Sequence, residues 1–359
     1  MANITAAMVK ELREMTGAGM MDCKKALGET DGDMDAAVDV LRKSGAAKME
    51  KKASRIAAEG ICRVAVVDGK GVVAEVNSET DFVAKNEVFQ EFVQSVADTA
   101  LVSEYNGGKN GEDVESLLNA GLTEVIAEKT LKIGEKLSFR RFEKVAADVV
   151  VSYLHNGGKI GVLVAGQGDS SDAAKEALTN VAMQIAAMNP QYISRNDIST
   201  DELAKLREIT LESALNDPFS LPKPILQGLI DKAVAGVWTA EDVAIYEEKK
   251  TNMNYLPNFL SNEAKTALAQ LALADKAAIS ENKIFSGLVE GRISKQLKEI
   301  CLLDQTYVKA EDGKQTVAAY LACVNKALVV TKMVRFEVGE GLEKKNEDFA
   351  AEVAAQMGK

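Results

Sequence analysis

The chain has a single histidine, His155, four cysteines and 54 acidic side chains, and these bound the chemistry open to it. A Ser-His-Asp or Cys-His engine would have to be built on His155. A zinc site would need cysteines or histidines in close pairs. Cys23, Cys62, Cys301 and Cys323 lie far apart, and no C-x-x-C or H-x-x-x-H occurs. His155 is therefore read as a surface or interface histidine. No P-loop is present. Gly166-Gln167-Gly168 follows a predicted strand and opens a predicted helix, but the third motif position is Ser171. Asp169 and Asp172 would also stand where a pyrophosphate should lie, so a dinucleotide site is rejected. Asp31-Gly32-Asp33-Met34-Asp35 resembles a calcium loop at first sight. Its glycine is misplaced and its twelfth position is Arg42, so it reads as a turn and helix cap. No acid pair in a glycine-rich cleft stands out. The sequence reads as non-enzymatic and calls for no cofactor or metal.

Two other segments do not look like ordinary core. Thr16-Gly17-Ala18-Gly19-Met20-Met21-Asp22-Cys23-Lys24-Lys25-Ala26-Leu27 sets two methionines at a glycine-rich helix junction. Both cannot point inward on such a junction, so one is expected outside, where methionine suits an adaptable protein contact; the plainer alternative packs both. Asn77-Ser78-Glu79-Thr80-Asp81-Phe82-Val83-Ala84-Lys85-Asn86 lies where a strand ends and a helix begins. Phe82 is either a core ring or an aromatic presented to a partner from among Glu79, Asp81 and Lys85.

The elements that would carry these segments follow from periodicity. Residues 1–45 read as three short helices, the second capped by Asp22, the third capped by Asp33 and stopped by Ser44-Gly45. Residues 42–55 hold six basic residues against one acid, either a solvated linker or a basic arm for an acidic partner. Beyond residue 60, ICRVAVV and GVVAEVN flank Asp68-Gly69, a hairpin signal. Helices are predicted at 87–97 and 113–129, then a strand at 137–145. A similar order begins again: VVVSYLH and KIGVLVAG about Asn156-Gly157-Gly158, a helix at 171–188, helices near 288–300 and 315–323, and the strand LVVTKMVRFEV. This reads as an internal duplication. The second copy carries an insertion, mainly between 190 and 290, which holds all five prolines and the only tryptophan. Trp238, Phe259 and Leu260 are candidates for an exposed apolar patch there. A last short helix is predicted in the tail, packed on the core or docked elsewhere.

The fold class is thus α+β: an N-terminal helical domain with basic linker (1–55), a core subdomain (56–145), a second core subdomain (146–193 and 285–343), an inserted helical domain (194–284) and a C-terminal module (344–359). With 359 residues, 47% hydrophobic and 27% charged, the chain is neither disordered nor collagen-like. Mean hydropathy is −0.08 and no long apolar run occurs, so no membrane span is predicted. The N-terminus lacks a signal-peptide pattern and the scattered cysteines read as reduced thiols, so a cytoplasmic location is expected. A net charge of −11 argues against a large phosphate-binding surface, hence against direct nucleic-acid binding.

TGAGMMDCKKAL at 16–27, RKSGAAK at 42–48, EVNSETDFVAKN at 75–86, KIGEKLSFRR at 132–141, HNGGKIGVLVA at 155–165 and VRFEVGEGLEKK at 334–345 closely resemble the bacterial elongation factor Ts family. The stretch at about 217–284 departs from it, since the family's helical projection is usually shorter. The resemblance implies a ubiquitin-associated-like three-helix domain, a two-subdomain core, a protruding helical hairpin and a C-terminal helical module. It implies guanine nucleotide exchange on elongation factor Tu. By resemblance, Thr80, Asp81, Phe82 and Val83 displace magnesium from that partner. Met20, Met21 and Lys24, with Ile133 and Gly134 and the C-terminal helix, touch its nucleotide domain. His155 faces its third domain. A homodimer is compatible with the sequence, and a non-catalytic adaptor on the ribosome or a chaperone is the competing reading.

Overall fold

The computed structural model describes residues 4–343, and the helix expected at 344–359 lies outside the described residues. Two compact units form. One is built on the chain up to Asn189 with Tyr307–Lys309 and the segment from Val317 onward; the other is Pro190–Thr306 with Ala310–Thr316.

The Thr5 hydroxyl accepts the Met8 amide at 3.3 Å and starts α1 (Ala6–Thr16), which ends on left-handed Gly17 at φ 67°. The second helix, α2 (Met20–Glu29), starts on Gly19 rather than on Asp22. Asp22 sits in its first turn and pairs with Lys48 at 3.0 Å. Asp33 does cap the third helix, accepting the Ala36 amide at 2.9 Å. Val9, Leu12, Leu27, Ala37 and Leu41 close the small core. The third helix, α3 (Met34–Lys52), runs through Ser44-Gly45 instead of stopping there. Glycine normally weakens a helix interior, but here a Cβ would stand 3.0 Å from the Ala127 carbonyl oxygen. Gly45 therefore lets α3 lie close on the helix Thr123–Ile133. The basic stretch 42–55 is mostly helix, and several of its cations are already paired.

Strands β1 (Glu59–Val67) and β2 (Lys70–Ser78) form the first hairpin, and β3 (Ser138–Ala146) returns on the far side of β2. Between them lie α4 (Asp81–Ala84), α5 (Glu87–Val102), α6 (Val114–Leu117) and α7 (Thr123–Ile133). The single helix expected at 113–129 is broken, because Gly121 (φ 118°) interrupts it within the π-helical turn Leu118–Leu122. The order repeats in β4 (Val149–His155), β5 (Ile160–Gln167), α8 (Asp172–Met188) and β6 (Val329–Glu337), giving two three-stranded antiparallel sheets with the returning strand beside the second of each hairpin. With a covered face on either side, the period-2 rule explains why β2 is buried from Gly71 to Ser78, leaving Lys70 exposed at its start. Val72, Ala74 and Val76 face α5, while Val73 packs with Cys62, Leu163 and Phe336 between the sheets. The sheets meet closely at Gly161, where a Cβ would lie 2.8 Å from Val73 and 2.9 Å from Cys62.

The second unit contains α9 (Thr200–Asn216), α10 (Lys223–Gly236), α11 (Ala240–Lys249), α12 (Asn262–Ala274), α13 (Lys276–Ser280) and α14 (Lys283–Ile300) around a core of its own, including Leu215, Ile230, Leu256, Leu268 and Phe285. The stretch 285–300, read from sequence as part of the core subdomain, packs here through Phe285, Val289 and Ile293. The expected apolar patch is not formed. Trp238 and Leu260 are buried in this core, and the indole Nε1 donates to the Ala264 carbonyl at 3.0 Å. Phe259 alone is exposed, with the Lys249 ammonium 5.0 Å from its ring centre. After this unit the chain continues through α15 (Val317–Val324) into β6.

Gly228 in α10 and Gly287 in α14 have no atom within 4 Å of where a Cβ would stand. Each weakens its helix by about 0.5–1 kcal/mol relative to alanine. Gly228→Ala and Gly287→Ala should each raise the melting temperature read from Trp238 fluorescence. A fall would mean that those glycines are needed for a close packing.

Candidate functional site

Strand β2 ends at Ser78, and only Glu79 and Thr80 separate it from the one-turn helix α4. Thr80 caps α4, its hydroxyl accepting the Val83 amide at 3.4 Å. Asn86 then caps α5, its carbonyl oxygen accepting from Val88 at 2.9 Å and Phe89 at 3.4 Å. Thr80 thus fixes the start of α4, and the Lys85 backbone amide, reaching the Asp81 and Phe82 carbonyls, closes its end just before the Asn86 cap. The helical period turns Ala84 into the core, leaves Val83 half-buried and sends Phe82 outward. Phe82 is 80% exposed, far beyond a core ring. Asp81 pairs with Lys85 at 2.7 Å, and that hydrogen bond, helped by the charges of Lys85 and Lys159, holds its carboxyl below the usual range. The carboxylate is therefore ionised at neutral pH. Any support it gives α4 is present above the ordinary carboxylate range and fades as the pH falls through its lowered pKa.

A second segment grips the first. Glu135 accepts the Thr80 amide at 3.0 Å and the Thr80 hydroxyl at 2.7 Å. In return Glu79 accepts the Lys136 amide at 2.6 Å and pairs with Arg55 at 3.2 Å. The Lys136 ammonium donates to the carbonyls of Ala53 (2.6 Å) and Arg55 (2.8 Å) just past α3, and Lys52 donates to the Gly134 carbonyl. Burial, then the charge of Arg55, pushes the Lys52 pKa down. Ile133 and Lys132 line an open groove of about 340 Å³ with Phe82, Val83 and Val88.

The α1–α2 junction borders the same region, since a Cβ on Gly17 would meet Lys132 at 2.9 Å. Met20 and Met21 follow, 56% and 75% exposed. The sequence expected one methionine outside; both are, because Cys23, Ala26 and Leu27 take the buried face of α2. Lys24 is exposed on the same helix. His155 ends β4, exposed, with its Nδ1 3.1 Å from the Tyr153 hydroxyl. It is not part of the groove lining, but Lys159 in the turn that follows projects its charge onto Asp81.

Two comparisons decide what kind of protein carries this arrangement. The family model for elongation factor TS matches residues 79–259 and 256–340. The elongation factor Ts of Clostridioides difficile (strain 630) is 43% identical over 369 aligned residues, covering 99% of this chain and all of the relative. The chain belongs to the elongation factor Ts family. Membership places it among the factors of translation elongation in protein biosynthesis. No described helix is long and apolar enough to cross a membrane.

Within this elongation factor Ts chain, Thr80, Asp81, Phe82, Val83, Ile133 and Gly134 come together about one junction, with the Met20, Met21 and Lys24 helix at its border and His155 on a separate strand end. Sequence reasoning named Glu79 beside Phe82 and the basic stretch that holds Arg55, but it missed Glu135 and Lys136 as partners and the bonds that join the four. The KIGEKLSFRR segment is visible as a unit in the sequence. That its glutamate accepts a backbone amide 55 positions away is not, because such a bond depends on tertiary placement.

Proposed function

We propose that this protein is the guanine nucleotide exchange factor of elongation factor Tu, acting in the cytoplasm and performing no bond chemistry. It binds the GDP complex, displaces the partner's magnesium and releases GDP so that GTP can bind. The observation that carries this reading is Phe82, an aromatic ring 80% exposed on a helix turn held at both ends, in a member of this family. A ring so placed gains from burial in a partner and little from its own fold.

Phosphate contacts and magnesium hold GDP in the partner. An exchange factor must bind the nucleotide-free state more tightly than the GDP state, and linkage makes the effect reciprocal. A thousandfold faster release needs about 4 kcal/mol off the barrier. One hot-spot aromatic supplies about 2–4 kcal/mol, so Phe82 with a few flanking contacts is sufficient. Thr80, Asp81, Phe82 and Val83 enter near the magnesium. Met20, Met21, Lys24, Ile133 and Gly134 meet the nucleotide domain, and His155 the third domain.

The test is release of fluorescent GDP from elongation factor Tu with and without this protein. Strong acceleration is expected; an unchanged rate would leave only an adaptor role. Met20→Ala with Met21→Ala should raise the half-saturating concentration about tenfold, equivalent to about 1.4 kcal/mol of contact energy. Because both side chains are exposed, the melting temperature should not move. A lower melting temperature with unchanged half-saturation would return both methionines to a structural role.

A further inference from the structure

A helix of four residues does not hold itself, because nucleation fixes several torsions for one hydrogen bond. The direction of Phe82 must therefore be set from outside α4 (Asp81–Ala84). The caps are local, and one of them leads elsewhere. The Thr80 hydroxyl accepts the Val83 amide and donates to Glu135 at 2.7 Å, while the Thr80 amide donates to the other oxygen of the same carboxylate at 3.0 Å. One carboxylate thus fixes both the backbone and the side chain of the residue that starts the helix. It sits in a loop that is itself anchored, since Glu79 holds the following amide of Lys136 at 2.6 Å, and Lys136 reaches back to the Ala53 and Arg55 carbonyls. The bonds cross: 79 holds 136 and 135 holds 80. A register slip between the two segments would break both at once.

We propose that Glu135 is the positioning residue of the exchange site: it touches no partner nucleotide but holds Thr80 so that Phe82 is aimed before the partner arrives. The proposal rests on the reading of Phe82 as the exchange contact. It predicts an effect on the rate of the bound complex rather than on encounter. Preorganised groups act at the rate-limiting step without reordering.

The experiment uses the full chain and stopped-flow release of fluorescent GDP from elongation factor Tu over a range of factor concentrations. Glu135→Ala should lower the maximal release rate about tenfold and shift half-saturation by less than about threefold. Thr80→Val, which keeps side-chain volume and removes the hydroxyl, should lower the maximal rate in the same sense. Thr80→Ser, which keeps the hydroxyl, should stay within about threefold of wild type, whereas Glu135→Gln keeps one acceptor oxygen and turns an NH2 toward the second donor, so its maximal rate should fall between wild type and Glu135→Ala. The decisive measurement is the double variant. In a Phe82→Ala background, Glu135→Ala should slow release no further, because a wedge that is gone cannot be misaimed. An equal additional loss there would show that Glu135 acts elsewhere, and the proposal would fall. Wild-type rates for Glu135→Ala and Thr80→Val, with Phe82→Ala slow, would sink the clasp and spare the reading of Phe82. A wild-type rate for Phe82→Ala would remove that reading itself. Should Glu135→Ala fail to fold by circular dichroism, Thr80→Val alone and combined with Phe82→Ala decides the matter on the same terms.

Discussion

Phe82→Ala should slow catalysed GDP release at least about tenfold, equivalent to about 1.4 kcal/mol, and leave the melting temperature where it was. Four-fifths of the Phe82 surface already meets solvent, so its removal creates no cavity in the core. Exposed truncations of this kind usually change stability by no more than about 0.5 kcal/mol. The neighbours that set the turn remain: Thr80 still caps, Asp81 still pairs with Lys85, and Ala84 still packs. What disappears is the apolar area available for burial in a partner. Release kinetics and a thermal melt on one sample separate the two possibilities. A slow variant with a wild-type melt supports the wedge. A variant that melts early would show that the ring packs in solution, and a variant with a wild-type rate and melt would move the exchange contact elsewhere on the surface.

The sequence carried most of the fold because its strongest signals are local. Asp68-Gly69 and Asn156-Gly157-Gly158 announced two hairpins, and the repeated order of hairpin, helices and returning strand predicted the two matching sheets. Its errors lie where a distant residue overrides a local preference. Ser44-Gly45 has the chemistry of a helix stop, yet α3 (Met34–Lys52) continues, and the missing Cβ at Gly45 serves close packing on Ala127 instead. Asp22 has the chemistry of an N-cap, yet Lys48 takes its carboxylate and the helix starts on Gly19. Trp238 and Leu260 looked available for a surface patch only because the insertion's own core was not visible in one dimension. At the candidate site the same division holds. The exposed residues Met20, Met21 and Phe82 stood out because they break the pattern of a buried face. The Glu135–Thr80 and Glu79–Lys136 bonds gave no periodic signal. They join two short segments by single side chains, so they exist only once the fold has brought residues 79–80 and 135–136 together.

Removing the carboxylate of Glu75 should produce the largest loss of stability of any single change considered. Glu75 is fully buried and faces the second sheet from β2 (Lys70–Ser78). Arg141 reaches it at 2.6 Å, Arg140 at 3.0 Å, the Gly339 amide at 2.9 Å and the Asn77 side-chain amide at 3.1 Å. Arg141 is itself buried, its guanidinium 4.2 Å from the centre of the Phe336 ring and donating to the Glu337 carbonyl at 3.0 Å. The carboxylate therefore ties the returning strands of both repeats, and the turn at Gly339, to the strand that leads to Thr80. Replacing one member of a buried pair strands the other charge in a medium that does not solvate it, at about 3–5 kcal/mol. Glu75→Leu should lose that much in urea denaturation followed by far-ultraviolet circular dichroism. Trp238 lies in the core of the other compact unit, so the fluorescence transition serves as an internal reference and should move less. Adding Arg141→Met removes the stranded charge, and the double variant should recover at least about 2 kcal/mol of the loss, since an apolar pair of similar volume often replaces a buried ion pair without penalty. A loss below about 1 kcal/mol in the single variant would show that Arg141 keeps enough company in Glu337 and Glu340 to stand without Glu75. A double variant no more stable than the single would show that the Arg140 and Gly339 bonds, rather than the buried charge of Arg141, make the carboxylate necessary.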